Sequence, residues 1–182
     1  MTSVNVFRPP VFIPETAIAE RVDALARRIS ADHAGVDDLL LIGVLRGAFI
    51  FLGDLARRLT IPCSVDFMAL SQYDRDATTA EGVRLVMDVR VEIRGRHVVL
   101  VEDIVDSGET LAFLVHTLEV RRPASLRTCV LARKRGPEGR LARLDYVGFD
   151  IPDRWVVGYG LDYDNKFRTL PYIGVVHGPD AL

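Results

Sequence analysis

Two segments, "DLLLIGVL" at residues 38–45 and "HVVLVED" at 97–103, restrict this chain more than anything else in it. Both are short, continuously apolar and rich in Val, Ile and Leu, without the polar alternation of a strand that has one wet face. Such runs suit strands covered on both sides, as in a parallel sheet with helices packed on each face. The segments around them supply the helices. "AIAERVDALARRI" puts Ile18, Val22, Leu25 and Ile29 on one face at helical spacing, and "AFIFLGDLARRL" and "ETLAFLVHTLEV" read the same way. "CSVDFMALSQY", "VRLVMDV" and "SLRTCVLARK" read as further strands, and a polar loop, "DRDATTAEG", separates the first two. From residue 144 onward the pattern is irregular, aromatic and broken by Gly and Pro. A βαβ rhythm of this kind implies a mainly parallel sheet whose ligands bind beyond the carboxyl ends of the strands.

At 182 residues and 49% apolar composition the chain suits one compact domain with a continuous core. No repeat, low-complexity tract or interdomain linker interrupts it. With 23 basic against 25 acidic residues, the net charge of −2 carries no global basic field, which argues against a nucleic-acid partner. Cys63 and Cys129 lack CxxC spacing and read as buried free thiols. No basic, then apolar leader opens the chain, and no apolar run reaches 18 residues, so the expectation is a cytoplasmic protein away from membranes.

The chemistry collects in "VVLVEDIVDSGETL". An apolar strand ends in Glu102, Asp103 and Asp106, and mutual repulsion makes that arrangement costly unless a cation or a hydroxyl-rich ligand sits among them. The turn that follows leads into a helix, whose unpaired N–H groups and partial positive charge suit a phosphate, with hydroxyls from Ser107 and Thr110 and close approach at Gly108. The plainer reading is a capping box, with Asp106 as N-cap and Glu109 three residues on. Neither a Walker lysine nor GxGxxG is present, so the common nucleoside triphosphate and dinucleotide loops are excluded.

This stretch resembles the phosphoribosyl pyrophosphate signature of type I phosphoribosyltransferases, in the form found in hypoxanthine-guanine phosphoribosyltransferases. Three further segments resemble the same family in the same order. "LLLIGVLRGAFIFLGDLA" is similar to its pyrophosphate loop, "VDFMALSQY" to the start of its active-site loop, and "VGFDIPDRWVVGYGLDYDNKFRTLPYIG" to its purine-binding hood. The resemblance implies the type I phosphoribosyltransferase fold: α/β, with a mainly parallel twisted sheet flanked by helices and a small hood. The core would span about residues 15–145, and the hood about 146–182 together with the N-terminal segment.

It also implies roles. Glu102 and Asp103 would approach the ribose hydroxyls directly or through Mg²⁺, and the turn of Asp106, Ser107, Gly108, Glu109 and Thr110 would cradle the 5-phosphate. Asp106 would act as general acid/base at purine N7, held among other acids that favour its protonated form. Leu45, Arg46 and Gly47 match the pyrophosphate loop, where relatives tend to have a non-proline cis peptide, and Arg168 would neutralise pyrophosphate. Lys134 would donate to the purine 6-oxo group, Trp155 would stack on the base, and Val156 would offer backbone groups to its edge. Asp162 would serve a second Mg²⁺ and the guanine 2-amino group. Without the resemblance, the sole tryptophan reads as core and Lys134 as a solvated cation.

Tyr73 would close over the reacting centre. Here it follows Gln72, with Ser71 one place earlier, whereas relatives commonly carry Ser-Tyr at this point.

The implied reaction moves a 5-phosphoribosyl group from phosphoribosyl pyrophosphate to N9 of hypoxanthine or guanine, in a homodimer or homotetramer. A xanthine-preferring transferase and a non-catalytic sensor of phosphoribosyl pyrophosphate on the same scaffold are the alternatives. An RNA-binding regulator lacks a basic aromatic surface.

Overall fold

The computed structural model describes residues 8–72, 83–135 and 144–176. Six strands form the main sheet in the order β4-β3-β2-β5-β6-β7: β2 Leu39–Leu45, β3 Cys63–Gln72, β4 Val83–Met87, β5 His97–Val105, β6 Ser125–Lys134 and β7 Tyr146–Ile151. All neighbours are parallel except β3 and β4. Three helices cover it: α1 Glu15–Asp32 and α2 Phe49–Ala56 on one face, α3 Glu109–Glu119 on the other.

The continuous apolar strands divide their side chains by the two-residue period of a strand. In β2, Leu39 and Leu41 face the α1/α2 layer, where they join Val22, Leu25, Ile29, Phe51 and Leu55. Leu40, Ile42 and Val44 face the α3 layer, with Leu111, Leu114 and Leu118. In β5, Val99 and Val101 belong to the first layer and Val98 and Leu100 to the second. All of these β2 and β5 side chains are buried, which explains why the positions they occupy alternate between two apolar layers without a polar one. The stripe predicted for α1, Ile18, Val22, Leu25 and Ile29, is buried, and Ala26 and Ser30 are buried with it.

Two sequence readings change. The segment read as irregular from residue 144 begins with β7, which joins the main sheet parallel to β6, with Val130 opposite Val147 and Ala132 opposite Phe149. The large sheet therefore extends to Ile151 rather than stopping near residue 145. Beyond it, β1 Val11–Ile13, β8 Trp155–Val157 and β9 Ile173–Val176 form a separate antiparallel sheet in the order β1-β9-β8, joining the N-terminal segment to the chain's last third. Both cysteines are free, and Cys129 is buried as expected. Cys63 is only half-buried, because it begins β3 at the amino rim of the sheet.

Candidate functional site

The carboxyl ends of β2, β5, β6 and β7 lie side by side in the sheet order, and the chemically active residues follow from that adjacency. A cavity of about 430 Å³ opens there, lined by Leu45, Arg46 and Gly47 after β2, Glu102 and Asp103 of β5, Thr110 of α3, and Asp162 and Arg168 beyond β8. Residues from four distant parts of the sequence thus meet in one depression.

Glu102 and Asp103 do not sit past the end of β5. Both lie within it, and Glu102 pairs across to Val130. Glu102 is buried, and its Oε2 has no hydrogen-bond partner. Burial, then the neighbouring Asp103 carboxylate, pushes its pKa well up. Asp103 is raised too, chiefly by burial, with Glu102, the Ile104 N–H and the Arg168 charge working the other way. A buried acceptor without a donor costs about 1–3 kcal/mol, more if charged. A divalent cation would relieve both the orphaned oxygen and the repulsion, so this donor set fits Mg²⁺. Among the described residues no cluster of three or more metal-ligating side chains exists. Two carboxylates suffice for Mg²⁺, which keeps waters and takes its other oxygens from a phosphate ligand.

The Leu45–Arg46 peptide bond is cis. Just after it, Gly47 is wedged between two neighbours: a Cβ there would overlap the Asp103 carboxylate, and a Cβ on Gly160 would overlap the Gly47 carbonyl oxygen. Arg168 holds this arrangement from the other side. It pairs with Asp162 at 2.7 Å, donates to the Gly160 carbonyl at 2.8 Å, and Asp162 in turn accepts the Asn165 N–H at 2.7 Å. Both Asp162 oxygens are therefore engaged.

After β5 the turn reaches α3 through Gly108, which has φ +87° and no side-chain cap above it. The capping-box reading fails here. Ser107 Oγ accepts the Glu109 N–H at 3.4 Å, and Asp106 turns away to Lys134, whose Nζ lies 2.7 Å from its Oδ2. The acidic neighbourhood expected for Asp106 is thus occupied by a cation. Lys134 ends β6, between β5 and β7, and a second carboxylate, Asp153 from the β7–β8 turn, stands 3.0 Å from its Nζ. Burial works against the lysine's charge, but the two aspartates outweigh it and hold its pKa above the usual range.

Trp155 is 59% exposed, so the reading of the sole tryptophan as core does not hold. Its ring lies 5.9 Å from Lys134 Nζ and meets Tyr163 edge-on at 6.1 Å. Val156 follows in β8, the edge of the small sheet, so the outer side of its backbone faces no strand among the described residues. Tyr73 lies outside the described residues. Sequence reasoning missed Asp153 and Gly160. The first carried only a Pro-Asp turn signal, and the second a glycine among several.

Acids beside a wedged glycine loop, a glycine-bordered helix start and a lysine–tryptophan pair, all at the carboxyl edge of a doubly covered sheet, define an α/β protein that handles a phosphorylated sugar or nucleotide. Residues 14–164 match the phosphoribosyl transferase domain, and the chain belongs to that family. It is 44% identical to the hypoxanthine-guanine phosphoribosyltransferase of Mycobacterium avium over 171 residues, covering 91% of this chain and 84% of that one. Among solved structures it resembles a hypoxanthine-guanine phosphoribosyltransferase from Bacillus anthracis at TM-score 0.84 and 40% identity, covering 92% of this chain and 98% of that one. It also resembles the Trypanosoma cruzi hypoxanthine phosphoribosyltransferase in complex with the product IMP, at TM-score 0.83 and 42% identity, with 92% and 93% covered.

Proposed function

We propose that this chain transfers the 5-phosphoribosyl group of phosphoribosyl pyrophosphate to N9 of hypoxanthine or guanine, giving IMP or GMP and pyrophosphate. The observation that carries this reading is the contact between Lys134 and Asp106 at 2.7 Å. It joins the acid-lined phosphate side of the site to the tryptophan side, and a transfer reaction needs its donor and acceptor to meet at such a seam.

The residues divide the work. The turn from Asp106 to Thr110, with Ser107, Gly108 and Glu109, holds the 5-phosphate on backbone N–H groups and hydroxyls at the start of α3. Leu45, Arg46, Gly47 and Arg168 take the diphosphate, and Glu102 and Asp103 take the ribose hydroxyls. Glu102 and Asp103 would hold Mg²⁺, and Asp162 would serve a second ion; the positive charge so supplied would stabilise the leaving diphosphate. The base stacks on Trp155, accepts a hydrogen bond from Lys134 at its 6-oxo group, and presents its edge to backbone groups near Val156 and Asp162. Asp106 moves the proton at N7 as the bond to N9 forms. Tyr73 shields the reacting centre from water. We place the enzyme in the cytoplasm, as a homodimer or homotetramer.

A pyrophosphate-release assay with guanine, hypoxanthine, xanthine and adenine tests the reading. Release with hypoxanthine and guanine supports it. Tight binding of phosphoribosyl pyrophosphate with no release for any base points to a sensor, and release with xanthine above both points to a xanthine-preferring enzyme.

A further inference from the structure

We infer that Asp153 is a positioning residue that aims the Lys134 ammonium at the purine 6-oxo group. The inference rests on the base-side reading above and deepens it.

A lysine ammonium has three N–H donors on a flexible four-carbon stem, so by itself it is a poorly directed donor. Here its direction is set by the sheet. Lys134 is the last residue of β6, which lies between β5 and β7. From the β5 side comes Asp106, with Oδ2 at 2.7 Å from Nζ, and from the β7 side Asp153, with Oδ1 at 3.0 Å. Two carboxylates on opposite flanks take two donors and leave one. The Trp155 ring, 5.9 Å from the same nitrogen, marks the side on which a stacked base lies.

The two aspartates have different duties. Asp106 is needed at the purine N7, so the lysine loses that partner, in whole or part, when the base arrives. Asp153 sits in the β7–β8 turn, two residues before Trp155, and has no role at the reacting atoms. It therefore keeps the ammonium in place while Asp106 works. Without it, Lys134 has a single tether, the very carboxylate that catalysis requires, and it follows that carboxylate away from the 6-oxo position.

The test compares two nucleotides on the intact enzyme: IMP, and the purine ribonucleoside 5′-monophosphate that lacks the 6-oxo group. Trp155, the only tryptophan in the chain, reports binding by its fluorescence. Asp153→Asn should weaken IMP by about three- to tenfold, a modest loss because solvent screens the exposed side of this pair. Binding of the nucleotide without the 6-oxo group should stay unchanged. Asp153→Glu should restore most of the IMP affinity, and the KM for hypoxanthine should rise in Asp153→Asn far more than kcat falls. Equal loss for both nucleotides, or no loss for either, overturns the inference in favour of a purely structural turn. The wild-type arm reports separately on the underlying reading: if wild type binds both nucleotides equally, Lys134 does not read the 6-oxo group and both ideas fail.

Discussion

Gly47 and Asp103 compete for one space: the Asp103 carboxylate occupies the position that a Cβ at residue 47 would take. The loop after β2 and the acid pair are therefore in direct contact, and a side chain on one displaces the other. Gly47→Ala should push Asp103 out of the cavity, lowering stability by about 1–3 kcal/mol as overpacking does. It should also raise the KM for phosphoribosyl pyrophosphate much more than that for the base. Thermal unfolding and initial rates check both; a Gly47→Ala enzyme with an ordinary KM for phosphoribosyl pyrophosphate would show that the wedge is not functional.

The small sheet is fastened to the main body by Tyr159, whose hydroxyl donates to Asp54 of α2 at 2.6 Å. Asp54 is also paired with Arg57 and Arg58. Burial opposes its charge, but the Tyr159 hydrogen bond and the two arginines prevail and hold its pKa below the usual carboxylate value. Tyr159→Phe should cost about 1.5–3 kcal/mol, as expected for a hydrogen bond to a charged group. Because Gly160 lies next in the chain against Gly47, affinity for phosphoribosyl pyrophosphate should fall as well. Denaturant titration and a binding isotherm on the same variant test the two effects, and unchanged stability would remove the anchor.

Much of this was legible in the sequence because burial patterns are local. The β2 and β5 runs could only be doubly covered, and Glu102 and Asp103 at the end of one such run already implied a cation or hydroxyl-rich ligand. β7 was missed because its "YVGFDI" carries a glycine, usually a strand breaker. The structure supplies the reason for that glycine: a Cβ on Gly148 would strike the Leu131 carbonyl in the neighbouring strand. Asp153 was missed for a related reason. Its pairing with Lys134 arises only when β6 and β7 lie in register, and no spacing within one segment encodes that. Asp106 was read among acids because its sequence neighbours are acids, while its nearest partner in space comes from β6.

The raised pKa of Glu102 has a sign that can be measured. A carboxyl raised by folding is neutral in the folded chain over a pH window where the unfolded chain is already ionised. Its stabilising contribution is complete below the unfolded value of about 4.5 and is lost as pH rises through the folded value. Each pH unit in that window removes about 1.4 kcal/mol. Ligand-free Glu102→Gln should therefore lose less stability than wild type as pH rises through that window. Phosphoribosyl pyrophosphate with Mg²⁺ should stabilise wild type by about 2.7 kcal/mol at 100 times its Kd, with little effect from Mg²⁺ alone. The variant should lose most of that gain. Equal stabilisation by ATP with Mg²⁺ would instead indicate a generic nucleotide site.

Asp106 provides a sharper kinetic test, because phosphate affinity and proton transfer are separable at this residue. In the proposed mechanism the turn's backbone would bind phosphate whether or not residue 106 is charged, while only a carboxylate there could exchange the N7 proton. Asp106→Asn should reduce kcat by roughly 10²- to 10⁴-fold with a small change in Kd for phosphoribosyl pyrophosphate. Single-turnover rates at saturating substrate decide it, and near-normal turnover would exclude Asp106 as the acid/base.

Base choice follows from donors and acceptors around Lys134. Its ammonium offers only N–H donors, shared without ligand between Asp106 and Asp153, and Asp153 keeps its share when Asp106 turns to the base. In the proposed binding mode, a donor directed at the base would pair with the 6-oxo group of guanine or hypoxanthine and meet another donor in the 6-amino group of adenine. Adenine should be rejected by as much as ~10⁴-fold in kcat/KM, because a site built for an acceptor is left with unpaired groups. In the proposed binding mode, backbone carbonyls near Val156 and Asp162 would accept from guanine's amino group at position 2, tolerate hypoxanthine's hydrogen and repel the 2-oxo group of xanthine. Arg154, exposed and adjacent to Trp155 in the chain, is the cation proposed to soften that repulsion. Specificity constants for the four bases should therefore fall in the order guanine and hypoxanthine together, then xanthine, then adenine. Arg154→Ala should lower xanthine use further without affecting hypoxanthine. Adenine turnover comparable to hypoxanthine would overturn the role of Lys134, and xanthine outperforming both guanine and hypoxanthine would show that donors, not carbonyls, face position 2.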